Sequence, residues 1–243
     1  MIEPLTKRPE NAVTQATPLI VNSCALTPDP SGALIWPARR LVVVADLHLE
    51  KGSSYALRGL FLPPYDSRAT LAALERVIDT HKAQHVICLG DSFHDPEAAT
   101  RLSDQEVATI RRLTTARRWT WITGNHDPNP PTTLGGKIIH ELTVGPLVFR
   151  HQALEDRPAP GELSGHFHPK ATVATRSRRI TARCFVTDGT RAILPSFGAY
   201  TGGMDVLDPM IAKKFQRTFK VHMLGRKKIH VLPRQKLAPW GRK

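Results

Sequence analysis

Leu41-Val42-Val43-Val44-Ala45 runs without interruption into Asp46-Leu47-His48. A strand with one wet face alternates apolar and polar residues, whereas a continuous, largely β-branched run marks a strand buried on both faces, as at the centre of an α/β sheet. The same grammar recurs twice. His85-Val86-Ile87-Cys88-Leu89 ends in Gly90-Asp91, and Trp119-Thr120-Trp121-Ile122-Thr123 leads into Gly124-Asn125-His126-Asp127. Between them the spacing predicts two helices. One covers about 67–81, with Leu71, Leu74, Val77 and Ile78 on one face and Ser67 or Asp66 as cap. The other covers about 104–116, opened by a Ser103/Glu106 capping box. The order β-α-β-α-β brings three strand ends to one rim, where open α/β sheets bind ligands.

The rest of the chain reads as β-rich. Strands are expected near 137–141, 147–151, 170–174, 179–186 and 192–196. A terminal hairpin is expected at 220–224 and 228–232, around Gly225-Arg226-Lys227. Pro195, Gly198, Gly202 and Gly203 mark a tight loop. Residues 1–17 read as a flexible lead-in, and 18–243 as one domain with a basic end over 209–243.

The 243 residues include 34 Lys and Arg against 21 Asp and Glu, a net charge of +13. Eleven of those cations and no acid lie between Pro209 and Lys243, so the surplus is concentrated at one end. That points to a polyanionic partner or to a solvated basic face. Cys24, Cys88 and Cys184 are scattered, which fits buried thiols in a reducing compartment. The first residues form no apolar signal segment, and no apolar run approaches the ~20 residues of a spanning helix. A soluble, cytoplasmic protein with no membrane role is expected.

Five segments carry metal-binding side chains in a fixed order: Asp46-x-His48, Gly90-Asp91, Gly124-Asn125-His126-Asp127, His151 and Gly165-His166-Phe167-His168. Carboxylate, amide oxygen and imidazole suit divalent cations of borderline hardness. Seven such ligands suffice for two ions, and paired ions are a device for hydrolysing phosphate esters. On a regular strand His166 and His168 would share a face.

This ordered set resembles the calcineurin-like metallophosphoesterase superfamily. Asp46 to Gly52, Gly90 to Asp95 and the 194–203 stretch are similar to the bacterial ligase-associated DNA-damage-response phosphoesterases. The resemblance implies an α/β sandwich of two packed mixed sheets flanked by helices. It implies that Asp46, His48 and His168 hold one metal, that Asn125, His151 and His166 hold the other, and that Asp91 bridges them. It favours manganese, with iron or zinc as alternatives, and implies His126 as general acid, since a sugar alkoxide leaves poorly unless protonated. Asp127 is expected to orient the His126 ring or to raise its pKa. Lys51, Ser92, His94 and Tyr200 are candidate substrate contacts. The implied function is a manganese-dependent DNA endonuclease or phosphodiesterase in repair. Its implied associates are an ATP-dependent DNA ligase, a DExH helicase and a metallo-β-lactamase-type nuclease. DNA would be held by its backbone rather than its sequence. A phosphatase for small esters and a non-catalytic recruitment module are the competing readings.

Overall fold

The computed structural model describes residues 17–63, 65–155, 160–226 and 228–240. The expected lead-in over 1–17 therefore lies outside the described residues, apart from Thr17.

Seven strands form the first sheet, in sequential order: β1 (Leu19–Val21), β2 (Cys24–Pro28), β3 (Leu34–Trp36), β4 (Leu41–Val44), β5 (His85–Leu89), β6 (Arg118–Ile122) and β7 (Lys137–Ile139). β4 to β7 are parallel, with Val44 opposite Cys88 and Leu89 opposite Ile122. The three strand ends are thus level with one another. Val42, Val44, Val86 and Cys88 face a core shared with helices α2 (Asp66–Thr80) and α4 (Asp104–Thr115), which follow the short α1 (Lys51–Ala56) and α3 (Ala98–Arg101) respectively. Leu41, Val43, Ile87 and Leu89 face the opposite way, into a second core. Alternate side chains are buried on both sides, which is why these strands show no polar alternation.

The second sheet closes that second core. Its strands are β8 (Glu141–Val144), β9 (Leu147–Arg150), β10 (Glu162–Ser164), β11 (Pro169–Ala174), β12 (Arg179–Thr187), β13 (Ala192–Ile193), β14 (Met204–Asp205), β15 (Lys220–Leu224) and β16 (Ile229–Pro233). β9, β10 and β13 run parallel, and β15–β16 is the expected antiparallel hairpin. Leu147, Phe149, Leu163, Phe185 and Ala192 meet the first sheet. The outer face is covered by Ile211 of the one-turn α5 (Pro209–Ala212), with Phe215 and Phe219. Two mixed sheets with helices outside are the sandwich expected from the motif order.

Two local expectations are corrected. The strand expected over 137–141 divides into β7 and β8, which belong to different sheets, so the chain crosses the sandwich there. Helix α2 is capped by neither Ser67 nor Asp66. Its N-cap is Tyr65, without a side-chain bond. Asp66 Oδ2 instead accepts from Gly52 N–H at 2.8 Å, and Ser67 Oγ from Glu50 N–H at 2.7 Å. The capping groups are diverted to anchor α1, which follows the Asp46-x-His48 loop.

His85 and His222 are buried neutral bases away from that rim. Burial drives His85 down to about 4, aided by Arg118, and drives His222 to about 4, aided by Lys220. Both imidazoles titrate near 6.5 in an unfolded chain. Between these values the unfolded state binds the extra proton, so stability is complete above about pH 6.5 and is lost as pH falls toward 4. Each group contributes at most about 3 kcal/mol. The urea midpoint of metal-free protein is expected to fall steadily between pH 7 and pH 4, and His222→Gln to flatten part of the fall. A midpoint unchanged over this range would contradict the assignment.

Candidate metal centre

All seven expected ligands leave the carboxyl ends of parallel strands. Asp46 and His48 follow β4, Asp91 follows β5 and Asn125 follows β6. From the other sheet, His151 follows β9, while His166 and His168 follow β10. The loops are knitted together. His48 and Leu49 donate backbone N–H to the carbonyls of Asp91 and Ser92, both at 2.9 Å. Gly165 N–H donates to His151 O at 2.9 Å, and Asp46 carboxylate accepts His166 N–H at 3.0 Å, joining the two sheets at the rim.

The backbone here is strained. Asp46, His48, Asp91, His166 and His168 have φ of +53°, +45°, +46°, +70° and +47°. They are five of the eleven non-glycine residues with positive φ among the described residues. Such conformations cost of order 1–3 kcal/mol each and persist only where function or tertiary context requires them. They also correct the expectation for His166 and His168. Neither lies on a strand: β10 ends at Ser164, β11 begins at Pro169, and two left-handed residues turn both rings inward. Space is as tight as the backbone. A Cβ on Gly124 would lie 2.2 Å from Asp91 Oδ1, and one on Gly90, itself at φ +72°, would lie 2.4 Å from the His151 ring.

The donor atoms converge in two groups. Asn125 Oδ1, His151 Nε2 and His166 Nδ1 form a triangle with sides of 2.9, 3.1 and 3.0 Å. His48 Nε2 and His168 Nε2 lie 3.2 Å apart, with Asp46 Oδ2 3.6 Å from the latter. Asp91 Oδ2 stands between the groups, 3.4 Å from His151 Nε2 and 4.0 Å from His48 Nε2. Ligands about 2.1 Å from one ion and at right angles to each other lie about 3 Å apart, so the spacing fits. Their chemistry fits as well. His151 Nδ1 donates to Leu89 O at 2.9 Å, which leaves Nε2 as a bare acceptor facing another acceptor, Asn125 Oδ1. Facing lone pairs repel unless a cation lies between them. Burial, reinforced by His168, His126 and His94, drives His48 down to about 2; burial and His151 also lower His166. Both shifts favour the neutral ring, the form that binds metal.

The family model for calcineurin-like phosphoesterase matches residues 39–216, which include every residue of this cluster. The chain belongs to the calcineurin-like phosphoesterase family. It is accordingly a metal-dependent phosphoesterase of a family that works with two metal ions. The phosphoesterase is similar in structure to the nuclease MPE of Pseudomonas putida: 30% identity, a TM-score of 0.68, and coverage of 89% of this chain and 98% of that one. None of the curated proteins matches the sequence.

The remaining candidates fall into place unevenly. His126 borders the cluster, its ring centroid 5.0 Å from that of His48, and its Nδ1 donates to His94 O at 2.7 Å. Among the described residues no hydrogen bond joins Asp127 to the His126 ring. Its carboxylate accepts backbone N–H from Asp91, Ser92, Phe93 and Gly124 at 2.8–3.2 Å, fastening the β5 and β6 loops together. Burial pushes that carboxyl up to about 7 against the bonds from Phe93, Ser92 and Gly124. The expectation that Asp127 orients the ring is replaced by this structural role. His94 stacks on His126 at 5.3 Å and approaches His48 Nδ1 at 3.4 Å. Burial and the Lys51 charge bring it down to about 4. Ser92 is fully buried and so cannot meet a substrate. Tyr200 lines a separate cavity of about 340 Å³ against Ala69, Thr70 and Ala73 of α2. The 194–203 loop lies against the first ligand segment, with Phe197 and Gly198 N–H donating to Ala45 and Asp46 carbonyls. Sequence reasoning missed Tyr55, whose ring centroid is 5.8 Å from that of His94. It stands on α1, where nothing in the local pattern marks it.

Proposed function

We propose that this phosphoesterase is a manganese-dependent DNA endonuclease of the bacterial cytoplasm. It acts in repair beside an ATP-dependent ligase, a DExH helicase and a metallo-β-lactamase-type nuclease. The observation that carries the hydrolytic reading is the set of oxygen and imidazole donor atoms that face one another at the rim. Asp46, His48 and His168 would hold one ion, Asn125, His151 and His166 the other, with Asp91 shared between them. When bound, two such cations supply Lewis acidity and a means of activating water at neutral pH. Mixed imidazole and oxygen ligation suits manganese, iron or zinc better than magnesium.

The chain's own groups do the rest. His151 Nδ1–H, held on Leu89 O, keeps Nε2 aimed at the cluster. Asp127 fixes the backbone that carries Asp91. His126, its Nδ1–H spent on His94 O, presents Nε2 to the substrate side, where a protonated ring can give its proton to the departing sugar oxygen. Support for DNA as substrate comes from the 11 cations beyond Pro209. Lys213, Arg217, Lys220, Arg226 and Lys228 among them are exposed. The nuclease relative points the same way.

Chelated protein, resupplied with single metals, is expected to cleave plasmid and single-stranded DNA with manganese and to prefer them to a phosphomonoester. DNA cleavage should weaken steeply with salt as phosphate contacts release counterions. Strong preference for the monoester, or no response to salt, would turn the assignment to a small-ester phosphatase.

A further inference from the structure

Between Glu162 and Asp188 the sequence has five Lys or Arg and no acid. All five lie on the ribbon formed by β11 and β12 or on its turn. The ribbon leaves the metal cluster directly. Pro169, the first residue of β11, follows the ligand His168, and the Lys170 Cα is therefore within about 7 Å of the His168 Cα.

Strand register shows where the ribbon goes. β10 ends at Ser164, opposite Ile193, and Ile193 lies opposite Val186 of β12. Arg183 is three residues further out and Arg179 seven. Arg183 donates to Ser196 O at 2.7 Å and to Ser31 O at 3.3 Å. Ser196 in turn bridges Ala45, the residue before Asp46. The Lys170–Arg183 pair is thus level with the rim, and the four residues from Lys170 to Ala174 carry the ribbon about 13 Å past it.

The two faces of the ribbon differ. Ala171, Val173, Ile180 and Ala182 join the core beneath Ile211 and Phe215. The other face continues that of Phe185, which packs on the first sheet. Where the first sheet ends, this face turns from apolar to cationic. Lys170 stands opposite Arg183, Thr172 opposite Thr181, and Ala174 opposite Arg179. Like charges directly opposite destabilise a sheet, and an anion lying between them reverses the sign. Asp205, the acid beside Lys170 in β14, is engaged by Leu207 N–H at 3.0 Å and Trp240 N–H at 2.5 Å. Arg176 and Arg178 are exposed at the turn, as are Arg226 and Lys228 on the neighbouring β15–β16 turn. The chain end braces the ribbon, with Ala238 N–H on Thr172 O at 2.8 Å and Lys170 Nζ 5.9 Å from the Trp240 ring.

Building on the nuclease reading above, we propose that the β11–β12 ribbon is a cationic wing that grips the DNA backbone beside the scissile bond. Lys170 and Arg183 meet the phosphates nearest the metals, and Arg179, Arg176 and Arg178 meet those further along. The wing reads charge and spacing, not bases, and it acts only on substrates with phosphates beyond the one cleaved.

The test compares wild type with Arg176→Ala/Arg178→Ala and with Arg39→Ala/Arg118→Ala. The second pair removes the same charge from exposed positions at the amino ends of β4 and β6, away from the rim. With manganese, the wing variant is expected to raise KM for a 20-nucleotide strand about tenfold. Its kinetics on a dinucleotide and on bis(p-nitrophenyl) phosphate, which hold one phosphate each, should not change. Binding of the labelled 20-nucleotide strand to chelated protein, followed by anisotropy across salt, should lose about 1.4 from the slope of log affinity on log salt, about 0.7 per lost contact. The control pair should shift that slope by less than half as much. An unchanged KM and slope in the wing variant, or an equal shift in the control, overturns the wing and leaves the nuclease reading standing. A wild-type protein that hydrolyses the small diester but no DNA removes the nuclease reading, and the wing with it.

Discussion

Asp91→Asn is expected to lower kcat on any phosphate ester by on the order of 10³-fold or more while leaving the metal-free fold at least as stable as wild type. The two outcomes have one cause. Asp91 Oδ2 lies between the donor groups, and Oδ1 accepts His126 N–H at 2.9 Å. The amide preserves shape and one acceptor, so the loop can keep its course. It removes one negative charge from a region where Asp46, Asp91 and Asp127 are all buried. Without metal these carboxylates repel one another, and Asp91 is among the causes that raise Asp127. With metal the balance inverts. A ligand present at a hundred times its dissociation constant stabilises the fold by about 2.7 kcal/mol. Manganese should therefore raise the melting temperature of wild type clearly, and that of Asp91→Asn little. A variant that unfolds without metal would show Asp91 to be a structural residue.

His126→Ala should divide substrates by leaving group. General acid catalysis contributes roughly 10²–10⁴-fold where the departing oxygen needs a proton. Cleavage of DNA, which expels a sugar oxygen, is expected to drop by about that factor. Hydrolysis of bis(p-nitrophenyl) phosphate, whose leaving group departs without a proton, should drop less than about tenfold. The geometry supports this division. Nδ1 is committed to His94 O, the ring edge lies beside His48, and Nε2 is the nitrogen left for substrate. Equal losses on both esters would mean that His126 only positions the other groups.

Much of the first sheet was legible because burial on both faces leaves a simple trace. β4 and β5 appear as unbroken apolar runs, and each strand ends at its ligands. The Ser103/Glu106 box is equally local, and the structure has both of its hydrogen bonds. What escaped depends on tertiary context. β1 to β3 are short, and β1 turns into β2 through left-handed Asn22 and Ser23, so no period emerges. β10 has three residues, too few to show alternation, and the two histidines after it owe their direction to positive φ, which residue type does not reveal. Ser67 and Asp66 read as caps because the sequence cannot show that Glu50 and Gly52 compete for them. Asp127 read as a partner of its neighbour, whereas its hydrogen bonds reach Asp91, Ser92 and Phe93, some 35 residues away along the chain. The metal ligands were readable by type and order. Their convergence was not, since it requires two sheets to meet at one edge.

Anomalous scattering from crystals equilibrated with manganese decides whether seven side chains from two sheets enclose a pair of ions. Two peaks about 3.5–4 Å apart are expected. One should lie among Asp46, His48 and His168, and one among Asn125, His151 and His166, with Asp91 touching both. A single peak, or peaks away from these residues, would contradict the account.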